Sequence, residues 1–269
     1  MSGVLLRTSC FRTSGVIARL AIVWIAVVLV TVCVGQASAA PTATMTLQSA
    51  PAEGLGAQYG PLNVPMNLLF SGGTMAIYQS PNNTPVTVGT ASLTYSIFVD
   101  TDPVVTNNIV LTNNTTTAQA YTLTVNLPLL GMDAISGSTV VGGSIDVDVR
   151  DNNGNGSTLG VIDTNTPIYS AFTNLGVTQA LLLNMPPLVS GKYKTNNAAA
   201  DFGTPIPGAT GPVGTINNIG ITLAFTLSAR DTATFNSNFV IETLNIPEPA
   251  SLTLIIAGGV MLLPRRRRV

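Results

Sequence analysis

Polar and apolar residues alternate along much of the middle of this chain. The run Ser92-Leu93-Thr94-Tyr95-Ser96-Ile97-Phe98-Val99 changes character at most steps, the period-2 signature of a strand that buries one face. Residues 120–127, 144–149 and 219–227 repeat the pattern. Between such runs lie Pro81-Asn82-Asn83 and the segments 112–117, 152–157 and 203–214, all rich in Asn, Gly, Pro or Thr. Asn and Gly tolerate positive φ and Pro fixes φ, so these segments read as turns and loops. No stretch carries a capped apolar stripe of 3.6-residue period. The best helical candidate, residues 178–185, is short and stops at Pro186-Pro187.

Regular strands without intervening helices predict two packed antiparallel sheets. The expectation is an all-β chain: an antiparallel β-sandwich, immunoglobulin-like or jelly-roll-like, over residues 40–245. That length suits one large sandwich or two small ones. Asn107-Asn108 and Asn217-Asn218 each precede a β-branched run, an internal echo that a duplicated half-domain would produce. The echo does not divide the domain.

The ends differ in kind from the middle. Arg7, Arg12 and Arg19 lead into an apolar run at residues 20–34, followed by Ala37-Ser38-Ala39. This order fits a secretory signal peptide over residues 1–39, apolar in its helical centre and cut after a small-x-small site. At the other end, Ile246-Pro247-Glu248-Pro249 precedes an apolar run at residues 250–263 and then Arg265, Arg266, Arg267 and Arg268. The prolines end strand pairing and favour an exposed, extended joint. As a helix the run would be about 21 Å long, marginal against a hydrocarbon core of about 30 Å. Counting out to Pro264 lengthens it, and the arginines can snorkel to the headgroups. A basic cluster stays cytoplasmic, which places the middle outside.

Pro247, Glu248, Pro249, the apolar run and the four arginines resemble the PEP-CTERM sorting domain of Gram-negative bacteria. The resemblance covers residues 246–268 only, and Pro264 interrupts the junction before the arginines. It implies an exported protein recognised by an exosortase-type processing enzyme and held by its C-terminal hydrophobic helix in the inner membrane during transit. The cell surface or extracellular matrix follows as destination, in bacteria that make exopolysaccharide and biofilm. The middle region has the texture of the β-rich ectodomains that often accompany such tails. Nothing in the resemblance assigns the middle an activity.

Composition narrows that activity by exclusion. Charged residues make up 9% of the chain, and there is no His, the usual general base and a common metal ligand. Its two cysteines, Cys10 and Cys33, both lie in the leader, so the processed chain has no thiol nucleophile and no disulfide. Residues 40–245 hold four basic residues against eleven acidic ones, which opposes binding to nucleic acid. No G-x-S-x-G elbow exists, and no Ser-His-Asp triad is available. The Gly-rich stretch 203–214 carries Pro where a phosphate-cradling loop would open a helix.

The remaining chemistry is sparse. Asp151-Asn152-Asn153-Gly154-Asn155-Gly156 matches the first half of a calcium loop, with Asp151, Asn153 and Asn155 as candidate ligands. Position 12 is Ile162 and Asp163 falls one residue late, so a plain Asn/Gly turn is the favoured reading and no metal or cofactor is assigned. Asp146 and Asp148 share one face of a strand, a pairing that could serve glycoside hydrolysis or simply line a solvent face. Asp100 and Asp102 read as turn acids before Pro103. Asn113-Asn114-Thr115-Thr116 and Asn155-Gly156-Ser157 fit the N-glycosylation pattern. Trp24, the sole tryptophan, lies in the leader, so stacking on a sugar would fall to Tyr59, Tyr78, Tyr95, Tyr121, Tyr169 or Tyr193. The sequence therefore predicts a non-enzymatic surface or matrix protein associated with exopolysaccharide. The alternatives are a polysaccharide-active enzyme using the paired aspartates and a calcium-stabilised adhesin.

Overall fold

The computed structural model describes residues 41–52, 59–129, 135–174 and 176–244, all within one compact unit. The signal segment, the sorting motif from Pro247 to Arg268 and both expected terminal helices lie outside the described residues. Within them there are seventeen strands, one single-turn 3₁₀ element at Pro81–Asn83 and no α-helix. No helix among the described residues is long and apolar enough to cross a membrane.

In chain order the strands begin with β1 (Thr44–Pro51), β2 (Tyr59–Asn63), β3 (Asn67–Gly72), β4 (Met75–Gln79) and β5 (Val86–Val88). Four long ones follow: β6 (Ala91–Asp100), β7 (Val104–Asn113), β8 (Gln119–Pro128) and β9 (Thr139–Arg150). Then come β10 (Ser157–Gly160), β11 (Tyr169–Thr173), β12 (Val177–Leu182) and β13 (Leu188–Ser190). The last are β14 (Thr195–Phe202), β15 (Ala209–Thr210), β16 (Asn218–Leu227) and β17 (Thr232–Thr243). One sheet runs β12-β11-β16-β8-β1-β2, with β10 and β13 attached beside β16. The other runs β14-β9-β17-β7-β6-β4-β3, with β15 on β9 and β5 on β6. Every pairing between named strands is antiparallel.

The four runs that alternate in the sequence are the long central strands. In β6 the side chains of Leu93, Tyr95, Ile97 and Val99 are buried, and in β8 those of Tyr121, Leu123, Val125 and Leu127. Ile145, Val147 and Val149 of β9 and Ile221, Leu223, Phe225 and Leu227 of β16 complete the pattern. All of them join one continuous core, because period 2 sends every second side chain into the gap between the sheets. There Phe225 of one sheet meets Phe235 of the other at a centroid distance of 4.6 Å, and Tyr121 lies 5.7 Å from Phe225.

Tyr169 ties the sheets together with a polar bond as well. Its hydroxyl donates across the gap to the carbonyl of Asn238 at 2.8 Å. The close approach needs a glycine opposite. A Cβ on Gly143 would stand 2.5 Å from that carbonyl oxygen and 2.9 Å from the tyrosine hydroxyl. Burial raises the hydroxyl's pKa, so it stays a donor at any ordinary pH. Tyr121, similarly buried but accepting from Thr90, is pushed up to about 12.

Two expectations change. Residues 178–185 begin as strand, with β12 pairing along β11, because the apolar residues there gain a sheet edge and Pro186-Pro187 leaves no room for a helix to grow. The echo also fails. Asn217-Asn218 opens β16, but Asn107-Asn108 falls inside β7, where Asn107 is buried and accepts a 2.7 Å bond from Ser237.

These contacts make a stability test. Tyr169→Phe deletes one hydrogen bond and leaves its acceptor buried, an expected loss of about 1 kcal/mol. Gly143→Ala forces backbone apart and is expected to cost about 1–3 kcal/mol. Urea midpoints that rank the two in that order support the inter-sheet tie; an unchanged midpoint for Gly143→Ala contradicts it.

Candidate functional site

The first candidate from the sequence, the half-matched calcium loop, is a structural hub. Asp151 is buried. One carboxylate oxygen accepts the N–H groups of Asn153 at 3.3 Å and Gly154 at 3.0 Å, and the other accepts that of Tyr193 at 2.6 Å. The amide oxygen of Asn153 accepts from the N–H of Asn155 at 3.1 Å, and its NH₂ donates to the carbonyl of Ala229 at 2.8 Å. Positive φ at Gly154 and Gly156 turns the chain around these bonds. Of the three candidate ligands, Asp151 and Asn153 already accept backbone N–H groups on their side-chain oxygens, and no cluster of three acidic, His or Cys ligands occurs among the described residues.

Asp231 stands next to this hub, fully buried, accepting the N–H of Asn152 at 3.2 Å and the hydroxyl of Ser228 at 2.5 Å. Asn113 completes the same end of the sandwich. Its NH₂ reaches the carbonyls of Thr117, Leu227 and Ser228, and its oxygen accepts from Thr115. Its amide nitrogen is thus buried and engaged, so Asn113 fits the N-glycosylation pattern in sequence only. Three side chains from the Asx family close four loops here, as their short polar reach favours.

The two acids respond to pH in opposite senses. Burial pushes Asp151 up, but N–H donation from Tyr193, Gly156, Gly154 and Asn153 outweighs it and holds the carboxyl below its ordinary value. Burial raises Asp231, the bonds from Ser228 and Asn152 pull it back, and the charge of Asp151 beside it raises it further. Asp151 therefore contributes stability that is present above its ordinary value of 3.8 and is lost as pH falls through its lower folded value. For Asp231 the folded state holds its proton more tightly. Stability is full below 3.8 and falls as pH rises through its raised folded value.

The paired aspartates of β9 lie where a half-buried strand puts them. Asp146 and Asp148 project from the outer face while Ile145, Val147 and Val149 point inward. Their neighbours across the ladder are Ala199 and Asn197 on β14 and Asn236 and Thr234 on β17, with no second acid directly opposite. Asp100 ends β6 and accepts the N–H of Asp102 at 3.0 Å, a turn acid as expected. Of the six tyrosines, Tyr78, Tyr95, Tyr121 and Tyr169 are core residues, and Tyr59 and Tyr193 are exposed.

A groove that the sequence reading did not single out lies on the outer face of the first sheet. Its volume is about 440 Å³. The floor is made by Phe172 of β11 and Ala224 of β16, both buried yet outside the inter-sheet core. Alternation along β11 turns Ser170 and Phe172 to this face, opposite Tyr169 and Ala171 in the core. Gly220, paired directly opposite, makes room for it: a Cβ there would stand 2.3 Å from the ring's Cζ and 2.5 Å from the carbonyl of Val125.

The walls are hydroxyls, one amide and apolar carbon. Ser170, Thr178, Thr124 and Thr222 line it with Asn165, Thr166, Pro167 and Leu181. No charged residue takes part. One rim is fixed by Asp163, which accepts the N–H of Asn165 at 2.8 Å and the hydroxyl of Thr166 at 2.9 Å. Those two donors hold its carboxyl below the usual range. Asn184 adds a 3.2 Å bond to the carbonyl of Thr164. The rim is thereby pre-formed. Such a groove can hold an uncharged ligand with both hydroxyl and apolar surface, and its lining offers no group able to move a proton near neutral pH. A lone glycine within the 219–227 strand was the available signal, since it marks a bulge or a close approach.

No family model and no curated protein matches the chain. Among solved structures, one similarity is to TmCBM61 in complex with beta-1,4-galactotriose. It has 9% identity, covers 67% of this chain and 89% of that one, and has a TM-score of 0.25. A likeness of that size assigns this chain neither a ligand nor an activity.

Two measurements check the hub. Asp231→Asn retains an acceptor for Asn152 and cannot ionise, so it should melt at or above the parent at pH 7, with the difference closing below pH 3.8. A variant destabilised equally at both ends of that range contradicts the linkage. Millimolar calcium should leave the melting temperature of the parent unchanged, and a rise would show that a cation displaces the N–H donors of Asp151.

Proposed function

We propose that this chain is an exported, non-enzymatic surface or matrix protein that associates with exopolysaccharide through the groove over Phe172. Its sandwich is of the jelly-roll kind, in keeping with a chain that passes repeatedly from one sheet to the other. The observation that carries the binding role is the pre-formed, uncharged, hydroxyl-lined groove. Neutral sugars present hydroxyls at their rim and C–H groups on their faces, and a lining of Ser, Thr and Asn around an aromatic floor complements both. An anionic polymer would find no cation there.

Export and processing rest on the sequence: the leader at residues 1–39, then Pro247-Glu248-Pro249, the apolar run and Arg265 to Arg268. An exosortase-type enzyme is the processing partner in this reading, and the inner membrane holds the chain in transit. The enzyme alternative gains no support from geometry, because Asp146 and Asp148 sit on an outer sheet face and do not line the groove. In the adhesin alternative, Asp151 and Asn153 would have to share their oxygens between a cation and the backbone N–H groups they accept.

Ser170→Trp would fill the groove from a half-buried outward position. On a panel of neutral and acidic polysaccharides the parent should retain a neutral polymer without releasing reducing ends. The variant should bind at least about tenfold more weakly, a loss of about 1.4 kcal/mol. Release of sugar that stops in Asp146→Asn would favour the enzyme instead. Binding that survives Ser170→Trp would move the site elsewhere.

A further inference from the structure

The outer edge of the second sheet is open at β3. Among the described residues β3 pairs only with β4, so its other side presents a row of N–H and C=O groups without ladder partners. Five of its six residues are exposed. Leu68 is 46% exposed, Leu69 61% and Phe70 51%. Leu69 sits at the register shift against β4 and has no partner there.

Edge strands are usually blunted by charge, proline or cover. On the same side of the sandwich β2 is blunted in this way, for Pro61 lies in it. β3 has neither proline nor charge. It lies within a stretch, residues 54–99, that contains no Asp, Glu, Lys or Arg, although residues 40–245 as a whole carry seven more acidic than basic side chains.

These facts select the occupant. An open edge is satisfied by another strand, whose N–H and C=O groups recur at the matching spacing; a sugar polymer or a lipid does not offer that repeat. The partner strand must also tolerate Leu68, Leu69 and Phe70, so it is itself apolar and uncharged. Residues 40–245 of two copies are net acidic and oppose close approach, but residues 54–99 carry no charge to do so. The free edge of β14, at the far side of the same sheet, carries Asp201 and would set like charges together. We propose that β3 is the seam of a homodimer, in which the β3 strands of two copies pair antiparallel about a two-fold axis and join two nine-stranded sheets into one.

Cysteine cross-linking and sedimentation test this on the full chain. With Cys10→Ser and Cys33→Ser as the parent, no native thiol competes. Single cysteines replace Leu68, Leu69, Phe70 or Ser71 in turn, and Asn236→Cys, on the exposed face of β17, serves as control. Mild oxidation should give disulfide-linked dimers from at least one β3 position and none from residue 236. The parent should sediment as a dimer, and Leu69→Lys with Phe70→Lys should weaken association at least about tenfold. Both side chains are exposed, so the lysines should leave the circular dichroism melt intact. Should that double variant not fold, Leu69→Lys alone carries the same expectation. A monomeric parent, a dimer indifferent to the lysines, or equal cross-linking at residue 236 would each overturn the proposal. So would a monomer whose β3 amides resist hydrogen exchange, since another segment would then cover the edge.

Discussion

Phe225 resting on Phe235 across the gap between two sheets is the contact on which the rest of this structure depends. With 9% charged residues, the chain has few ion pairs to draw on, and its stability must come from apolar area removed from water. That demand fixes register. A slip of one residue in β8 or β16 would turn Tyr121 and Phe225 outward and bring threonines inward. Gly143 and Tyr169 add a directional element, because the 2.8 Å bond to the Asn238 carbonyl forms only where the opposing strand lacks a side chain. The loops then need no apolar anchor of their own. Asn113, Asp151 and Asp231 satisfy them with side-chain hydrogen bonds, and so long Asn- and Gly-rich connectors remain compatible with an ordered end.

The strands most legible in the sequence are the ones with two different faces. β6, β8, β9 and β16 each bury one face on the core and present Ser, Thr or Asp on the other, so their periodicity is visible without the fold. β2 and β3 sit at sheet edges with nearly every residue exposed, and a strand that buries neither face writes no alternation. β12 looked marginally helical for the same reason: its apolar residues serve an edge and a groove wall, not one face of a core. At the hub, the sequence displayed the turn-forming residues but not where their oxygens point. Asp151 accepts from Tyr193, forty-two residues away, and no local motif encodes that partner. Gly220 was visible as an oddity within a strand; the ring of Phe172 that explains it belongs to a neighbour paired across the sheet.

The groove and the chain ends bear on function in different ways. In the proposed reading the ends would specify a destination through the order and charge of their residues. As the proposed binding site, the groove would limit the ligand, since its lining has hydroxyls, an amide and an aromatic floor and no charged side chain. The proposed role joins the two, a sandwich delivered outside the cell that holds a neutral polysaccharide.

Delivery is the central claim, and the intact mass of the cell-surface form tests it most directly. A mass corresponding to a chain that starts near Ala40 and ends near Pro249 is the expected result. A surface form that retains Met1 to Ala39, or that still carries Arg265 to Arg268, would contradict it.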